Sequence, residues 1–332
     1  MSNILFKNAL NRNSQKVPPI WFMRQAGRYH NHYQKLKEKY SFEQLCKSPD
    51  LASEVACGPV EEFDFDLAIL FSDILFLLEG LGMNLRFNPG PVFQNFITQE
   101  NFKEYSDIEK AIDHMNFQYE AIQLTREKLS KSKSLIGFVG GPWTLLRFAI
   151  NKNKTLNRVE DFHLTFLSKI LAPLIKKNIE LQLNAGAEIV MIFDSGITDI
   201  DLVTYNSKYI SLIEDIANSF PNKIGYYFKG KELKDVKKLF STPLAGLGIN
   251  HSINIKETFS LYKKGFIQGN FDEKKLLLDK EELTNEVNVF CKNVQSIEDL
   301  SGWVCSLGHG INKNTPEKNV HLFIDTIRKN FS

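Results

Sequence analysis

The sequence predicts a (β/α)8 barrel that forms a single domain over residues 1–332. Three observations lead to this prediction. Eight short apolar runs occur along the chain, longer amphipathic segments separate them, and 332 residues suit one large α/β barrel. A doubly wound open sheet is the alternative architecture, because it has the same alternation of strand and helix.

The apolar runs are rich in Ile, Val and Phe. Short, nearly continuous apolar runs are typical of parallel strands that are buried on both faces. In chain order, the predicted strands are Pro19–Met23, Leu67–Phe71, Ser134–Val139, Glu188–Phe193, Lys223–Phe228, Leu244–Ile249, Phe266–Gly269 and Trp303–Leu307.

Helical patterns lie between these runs. Leu164–Leu183 places apolar residues at three-and-four spacing over about five turns, which predicts an amphipathic helix. Pro142 reads as the first residue of a helix, and Thr315 followed by Pro316 reads as an N-cap and a first helical residue. The other predicted helices are Val203–Phe220, Lys231–Phe240, Glu281–Val294 and Pro316–Phe331.

Composition excludes several classes of protein. Lys plus Arg is 41 and Asp plus Glu is 39, so the net charge of +2 lacks the basic excess of a nucleic-acid binder. The most apolar stretch, Leu67–Leu78, is shorter than the roughly 20 residues that a membrane span needs, and it contains Asp73. We therefore expect no nucleic-acid partner and no membrane insertion.

The cysteines and the N-terminal residues predict a cytoplasmic protein. The first residues, MSNILFKNALNRNSQK, lack the pattern of a signal peptide. The four cysteines show no zinc-ligand spacing, so we expect reduced thiols and no metal site. They are Cys46, Cys57, Cys291 and Cys305.

A barrel predicts where chemistry takes place, because catalytic residues follow the C-terminal ends of its strands. Polar or flexible residues stand at the ends of five predicted strands. They are Arg24, Asp73, Gly140-Gly141, Asp194-Ser195 and His309.

The first of these ends is Arg24-Gln25-Ala26-Gly27-Arg28. Two arginines bracket a small Ala-Gly step that lets the backbone approach a ligand. Guanidinium groups bind carboxylates with two parallel hydrogen bonds, which favours an anionic ligand here. The alternative is a basic turn that is solvated at the surface.

Asp73 stands among apolar residues on both sides. A carboxylate in such surroundings is costly unless it is paired or hydrogen-bonded. We favour the interpretation that Asp73 is a fixed negative charge that binds a cation or N–H donors of a ligand. The alternative is an N-cap for the next helix, a role that Ser72 could also fill.

The remaining ends carry weaker signals. Gly137–Leu145 is a glycine-rich turn that lacks the P-loop pattern, and tight packing explains its glycines as well as an anion site does. Asp194 or Ser195 could be a simple N-cap. His309 has glycine on both sides, and a lone histidine is more often structural than functional.

Taken together, these segments resemble the uroporphyrinogen decarboxylase family. They occur in the family's order and span nearly the whole chain. They are Pro18-Pro-Ile-Trp-Phe-Met-Arg-Gln-Ala-Gly-Arg-Tyr29, Ile69-Leu-Phe-Ser-Asp-Ile-Leu75, Gly137-Phe-Val-Gly-Gly-Pro-Trp-Thr-Leu145, Phe193-Asp-Ser195 and Leu307-Gly-His-Gly310.

The resemblance implies a cytoplasmic homodimer that removes the four acetate carboxyls of uroporphyrinogen III and yields coproporphyrinogen III in tetrapyrrole biosynthesis. It implies neither a metal nor an organic cofactor. By matching motif, Asp73, Arg24 and Arg28 would be catalytic. The other expected substrate contacts are Gln25, Ala26, Gly27, Phe148, Ser195 and His309, with apolar walls at Ile69, Leu75, Phe138 and Phe193.

The sequence departs from the family pattern at two places. Phe148 stands where the family usually has Tyr, so one hydroxyl is missing, and adjacent Arg147 offers a charge that would compensate. His30-Asn31-His32 replaces the usual Leu-Pro-Glu. Phe148 motivates an alternative, a non-catalytic or weakened tetrapyrrole-binding homologue. A related zinc- and thiol-dependent methyltransferase would need a His-x-Cys pair, which the sequence lacks.

Overall fold

A curled parallel sheet forms the centre of the molecule. The computed structural model describes residues 3–88, 90–151, 156 and 158–332. Seven strands form the sheet in the order β1-β4-β5-β6-β7-β8-β9, and β2 and β3 form a separate antiparallel pair. The strands are β1 Leu67–Ile69, β2 Leu85–Phe87, β3 Pro91–Phe93, β4 Ser134–Gly140, β5 Val190–Asp194, β6 Ile224–Phe228, β7 Gly246–Gly248, β8 Phe266–Phe271 and β9 Trp303–Leu307.

Helices surround the sheet and connect its parallel strands. They are α1 Ile4–Leu10, α2 Asn31–Lys37, α3 Phe42–Lys47, α4 Pro49–Phe63, α5 Phe76–Gly80, α6 Ile108–His114, α7 Asn116–Lys128, α8 Pro142–Ile150, α9 Asp161–Phe166, α10 Ala172–Ala185, α11 Leu202–Thr204, α12 Ile210–Ser219, α13 Leu233–Val236, α14 Ile255–Leu261, α15 Lys280–Gln295 and α16 Glu317–Phe331. No helix in the described part of the chain has the length and apolar character needed to cross a membrane.

The segment Pro19–Met23 closes the sheet between its two edges. On one side, the Cys305 N–H of β9 donates to the Pro19 carbonyl (2.9 Å), and Ile20 forms a parallel bridge with Cys305. On the other side, the Asp66 N–H, next to β1, donates to the Ile20 carbonyl (2.9 Å). The architecture is therefore TIM-barrel-like, which confirms the predicted fold class.

The Asp66 side chain reinforces this closure. Its carboxylate is buried and accepts the Ile20 N–H at 2.8 Å and the Asn3 amide at 3.2 Å. Burial raises the pKa of Asp66, and the bond from Ile20 opposes that rise. The Ile20 N–H, which has no strand partner, thus donates its hydrogen bond to the Asp66 side chain.

Buried side chains from the strands fill the ring. Where one strand contributes two residues, as β1 does with Leu67 and Ile69, they are two positions apart, as the two-residue period of a strand requires. The cluster includes Met23, Leu67, Ile69, Ile136, Met191, Tyr227, Phe266 and Val304, with Phe138 and Phe193 packed against it.

Most predicted strand boundaries differ from the observed ones by one or two residues at an end. Pro19–Met23 has one bridge where a strand was expected, and Trp303–Leu307 is a strand with the expected bounds. The predicted helix Leu164–Leu183 contains a π-helical turn at Leu167–Leu171 between α9 and α10.

Two proline-initiated helices had contrasting outcomes. Pro142 is the first residue of α8, as expected. The prediction for α16 was wrong by one position: Pro316 itself is the N-cap residue, with ψ at 134°, and Glu317 begins the helix.

We expect Asp66→Ala to weaken barrel closure. The Ile20 N–H would lose its charged acceptor, and such bonds contribute about 1.5–3 kcal/mol to the free energy of unfolding. Urea unfolding followed by circular dichroism measures this loss. Asp113→Ala, an exposed change on α6, is the control and should stay within about 0.5 kcal/mol. Equal stability of both variants would contradict the role of Asp66.

Candidate active site

The expected site residues follow the carboxyl ends of the parallel strands. Because those ends meet at one edge of a curled parallel sheet, the structure gathers these residues around one mouth. Arg24 follows Pro19–Met23, Asp73 follows β1, Ser195 follows β5 and His309 follows β9.

Arg24 occupies a backbone conformation that an arginine rarely adopts. Its φ is +64°, in the left-handed region, at the third position of a turn closed by the Gln25 N–H and the Phe22 carbonyl (3.0 Å). Glycine is usual at such a position, and a non-glycine residue costs about 1–2 kcal/mol there. Backbone strain of this kind is concentrated at functional sites. The Arg24 side chain is exposed.

Gln25 braces the turn from inside. It is fully buried, and its amide donates to the Leu67 carbonyl of β1 (2.8 Å) and accepts the Phe22 N–H (3.1 Å). The main-chain carbonyl of Gln25 accepts a hydrogen bond from the Tyr29 hydroxyl at 2.7 Å. These bonds fix the segment between the two arginines, and contact between Gln25 and substrate stays a prediction.

Ala26 and Gly27 are half-buried within the same turn. A Cβ on Gly27 would lie 3.1 Å from the Arg24 carbonyl oxygen, so the chain folds back closely on itself at this point. Arg28 is exposed beyond it. The turn therefore presents both arginines to solvent at the mouth.

The first and last turns of the barrel touch each other. The Ile311 N–H donates to the Met23 carbonyl at 3.1 Å. A Cβ on Gly310 would lie 2.6 Å from Cδ of Arg24, so the Arg24 side chain passes directly over Gly310. Arg24 and His309 thus belong to one unit, although 285 positions separate them in the sequence.

His309 is held neutral in this unit. Burial lowers its pKa to about 4, and the charges of Lys229 and Arg24 act in the same direction. Its Nδ1 accepts the Gly310 N–H at 2.7 Å. The neutral ring therefore carries its proton on Nε2 and can donate from that atom.

Tyr227 of β6 supports the His309 turn. Its ring is buried and its hydroxyl donates to the Gly308 carbonyl at 3.0 Å. The Tyr227 and His309 ring centroids are 6.1 Å apart. Sequence reasoning missed Tyr227, because a buried tyrosine inside an apolar run gives no functional signal.

An aromatic wall continues from Tyr227 around the mouth. Phe193 meets Tyr227 at 6.1 Å between ring centroids, and Phe138 meets Phe193 at 5.6 Å. Phe138 and Phe193 are half-buried, whereas Ile69 and Leu75 are buried. Two of the four expected wall residues, Phe138 and Phe193, are thus partly exposed to solvent.

Asp73 lies half-buried beyond β1. One carboxylate oxygen accepts the Leu75 N–H at 2.9 Å, just before α5 begins at Phe76. The alternative interpretation, in which Asp73 caps the next helix, therefore describes this one carboxylate oxygen. An ionised carboxylate has about four acceptor sites, so this bond orients the group and leaves it able to accept others.

Asp73 and Arg28 border the same small cluster of side chains. Burial raises the pKa of Cys46, and the charge of Asp73 adds to that rise. Burial raises the pKa of Tyr33 to about 12, Cys46 adds to the rise and the charge of Arg28 opposes it. The Asp73 carboxylate is therefore close enough to Cys46, and the Arg28 guanidinium close enough to Tyr33, for each charge to act on its neighbour.

Asp194 has a structural role, and its side chain does not cap the 3-10 turn that follows it. It is fully buried and accepts the hydroxyls of Thr144 (2.7 Å), Tyr226 (3.1 Å) and Tyr209. Burial raises its pKa, and these bonds oppose the rise. Ser195, the next residue, is exposed and begins a 3-10 turn, Ser195–Asp199.

Phe148 is half-buried on α8. The expectation that Arg147 offers a charge in place of the missing hydroxyl needs correction. Arg147 forms an ion pair with Asp199 (2.5 Å) and donates to the Gly196 carbonyl (3.1 Å). Its charge is thus bound by the turn that follows β5.

Two further residues near His309 escaped the sequence analysis. Lys229 follows the end of β6, and both Lys229 and His251 lie close enough to lower the pKa of His309. Lys229 could have been found by the same rule that selected Arg24, because it directly follows a predicted strand. His251 gives no such signal, since it comes a few residues after β7.

Three side chains beyond β7 and β8 could hold a cation. His251 Nδ1 lies 3.3 Å from a Glu273 oxygen and 3.8 Å from an Asp272 oxygen, and their ligating atoms lie within 4.8 Å of one another. His251 and Asp272 also line a cavity of about 580 Å³ that includes none of the expected site residues. The sequence predicts no metal here, and that stays a prediction.

The fold and site define a TIM-barrel-like protein whose mouth carries arginines, a carboxylate and a neutral histidine beside an aromatic wall. Such a mouth can hold a flat, polyanionic ligand, because guanidinium groups bind carboxylates and aromatic rings pack against its face.

Comparison with known proteins assigns the family. The model of the family described as uroporphyrinogen decarboxylase (URO-D) matches residues 1–330. A uroporphyrinogen decarboxylase of Orientia tsutsugamushi (strain Ikeda) is 35% identical, with 99% of this chain and 98% of the relative covered. One from Francisella tularensis subsp. novicida (strain U112) is 32% identical, with 98% of each covered. The chain belongs to the uroporphyrinogen decarboxylase family.

Solved structures support the fold. A methyltransferase from Methanosarcina mazei superposes with a TM-score of 0.81 at 15% identity and full coverage of both chains. A putative vitamin-B12-independent methionine synthase from Listeria monocytogenes gives a TM-score of 0.56 at 13% identity, with 95% of this chain and 96% of that chain covered. At such identities the likeness extends to the fold alone.

We expect His309 to titrate near pH 4 in the folded protein, against about 6.5 in an unfolded chain. Between these values the unfolded state binds more protons, so acidification through this window lowers stability. The Cε1–H signal in NMR measures the midpoint. Arg24→Gln should raise it, and Arg86→Gln, an exposed change in β2, should not. A wild-type midpoint near 6.5 would contradict the burial of the ring.

Proposed function

We propose that this protein is a uroporphyrinogen III decarboxylase, which removes the four acetate carboxyls as CO2 and yields coproporphyrinogen III. Membership of the family over residues 1–330 supports this activity. The observation that carries the proposal is the placement of Arg24 between the first and last turns of the barrel, against Gly310. That placement sets a fixed cation at the mouth, beside neutral His309.

The residues divide into groups by what they would do with substrate. Arg24 and Arg28 hold carboxylates of the macrocycle, and the backbone of the intervening Ala26-Gly27 step approaches it closely. His309, with its proton on Nε2, donates one hydrogen bond, and the exposed Ser195 hydroxyl supplies another contact. Ile69, Leu75, Phe138, Phe148 and Phe193 form the apolar walls, and Gln25 fixes the arginine-bearing turn from inside.

Asp73 performs the electrostatic part of the reaction. Protonation of a pyrrole ring at carbon makes the ring cationic, so the ring itself accepts the electron pair left when the C–CO2 bond breaks. The exocyclic methylene formed in that step takes up a proton to become a methyl group, and loss of the ring proton restores the pyrrole. A fixed carboxylate in a desolvated mouth stabilises the cationic ring. Asp73 can also accept the pyrrole N–H groups.

This reaction draws its electron sink from the substrate. The role that an organic cofactor has in many decarboxylases is to accept that electron pair. The proposed mechanism therefore needs no added cofactor. We further propose that residues 1–332 form one catalytic domain, that the protein functions as a homodimer, and that it resides in the cytoplasm.

The direct test is anaerobic incubation with uroporphyrinogen III, followed by counting of the carboxyls on the product. We expect four carboxyls fewer than on the substrate and release of four CO2 per macrocycle. Binding of uroporphyrinogen without release of CO2 would overturn the proposal in favour of a non-catalytic tetrapyrrole-binding homologue, an alternative that the named relatives do not favour.

Phe148→Tyr tests the departure from the family pattern. It restores a hydroxyl at the mouth, and one hydrogen bond near a charge contributes on the order of 1 kcal/mol, or about fivefold in rate. We expect kcat/KM to rise by up to about that factor. Phe117→Tyr on α7, a half-buried ring outside the site, is the matched control. A decrease in kcat/KM would contradict a substrate-facing position for Phe148.

A further inference from the structure

The turn that carries Ser195 is pressed against α8. The Gly196 N–H donates to the Thr144 hydroxyl at 2.9 Å. A Cβ on Gly196 would lie 2.9 Å from the Thr144 Cα, a distance that real Cβ atoms essentially never show. Only glycine permits this approach, so the contact between the turn and the helix is close enough to transmit a displacement of α8 to Ser195.

Arg147 of α8 binds the same turn at both of its ends. Its Nη1 donates to the Gly196 carbonyl at 3.1 Å, next to Ser195. Its Nη2 lies 2.5 Å from the Asp199 carboxylate, at the last residue of the turn. The Arg147 side chain is 20% exposed, so the pair is partly shielded from solvent and less screened than a surface ion pair.

The deeper contacts of the turn do not fix its outer face. Asp194 accepts the Thr144 hydroxyl and anchors the end of β5 beneath the turn. Ser195 and Asp199 are both exposed. Arg147 is the described side chain that spans this outer part of the turn, from the Gly196 carbonyl to the Asp199 carboxylate.

We propose that Arg147 is a positioning residue that holds the Ser195 hydroxyl in place for the substrate, acting through the Gly196 carbonyl and Asp199. The inference rests on the proposed function, in which Ser195 contacts uroporphyrinogen III. Arg147 neighbours Phe148 on α8, so a single helix sets both the Phe148 ring and the Ser195 hydroxyl. Without a hydroxyl at position 148, the placement of Ser195 carries more of the polar recognition on this side of the mouth.

The test is a double-mutant cycle between Arg147 and Ser195. Arg147→Gln and Asp199→Asn should each raise KM for uroporphyrinogen III by about threefold to tenfold and leave kcat within about twofold, as coupled neighbours do. In a Ser195→Ala background the same changes should leave KM unaltered. Arg147→Lys keeps the charge and should recover part of the loss. Lys176→Gln, which breaks the α10–α12 ion pair with Asp215, is the matched control.

The outcomes separate the inference from the proposed function. If the wild-type protein releases CO2 and the effects of the Arg147 and Ser195 changes on KM are additive, the positioning role is overturned and the proposed activity stands. An active Ser195→Ala variant with wild-type KM also overturns the positioning role. Wild-type protein that binds uroporphyrinogen III without turnover ends the proposed function, and the same cycle on the dissociation constant still decides the role of Arg147. Wild-type protein that neither binds nor turns over overturns both.

Discussion

Closure of the sheet by a short segment near the N-terminus is the constraint on which the site depends. Ile20 hydrogen-bonds to Asp66, the residue before β1, on one side and bridges β9 on the other, and the Asp66 carboxylate also accepts the Ile20 N–H. Because this segment occupies the remaining position in the ring, the residues after it emerge between the first and last turns of the mouth. The barrel thus places Arg24 next to the His309 turn, although the two residues lie near opposite ends of the sequence.

The charges at the mouth are organised around that junction. Arg24 adopts a strained backbone conformation, lies against Gly310, and helps to keep His309 neutral. Asp73 keeps one oxygen oriented by the Leu75 N–H, and it shares the Cys46–Tyr33 cluster with Arg28. In the proposed reaction, Arg24 and Arg28 hold the carboxylates of the macrocycle, and Asp73 stabilises the cationic ring.

The sequence predicted the architecture well where strands are long and apolar, as at Trp303–Leu307. The expected strand Pro19–Met23 pairs through one bridge, because the Ile20 N–H donates to the Asp66 carboxylate and the Phe22 N–H donates to the Gln25 side chain. The antiparallel pair β2 and β3 was missed because each strand has three residues and no clear alternation.

Side-chain partners far apart in sequence were beyond prediction. The motifs indicated Arg24, Asp73 and His309 as candidates, because each follows a predicted strand. The bonds from Gln25 to Leu67 and from Arg147 to Asp199 join segments whose proximity only the folded chain defines. Arg147 illustrates the limit most clearly, since its charge was expected to compensate for the missing hydroxyl and is paired with Asp199 in the Ser195 turn.

The central claim is that the fixed charge of Asp73 stabilises a cationic pyrrole. The most direct measurement is the single-turnover rate of CO2 release by Asp73→Asn at saturating uroporphyrinogen III without oxygen, with Asp113→Asn as the control. Loss of a preorganised electrostatic group typically costs about 100-fold or more in rate. The account predicts a decrease of that size in a folded variant, with the control unchanged. A rate within about threefold of the wild type would contradict it.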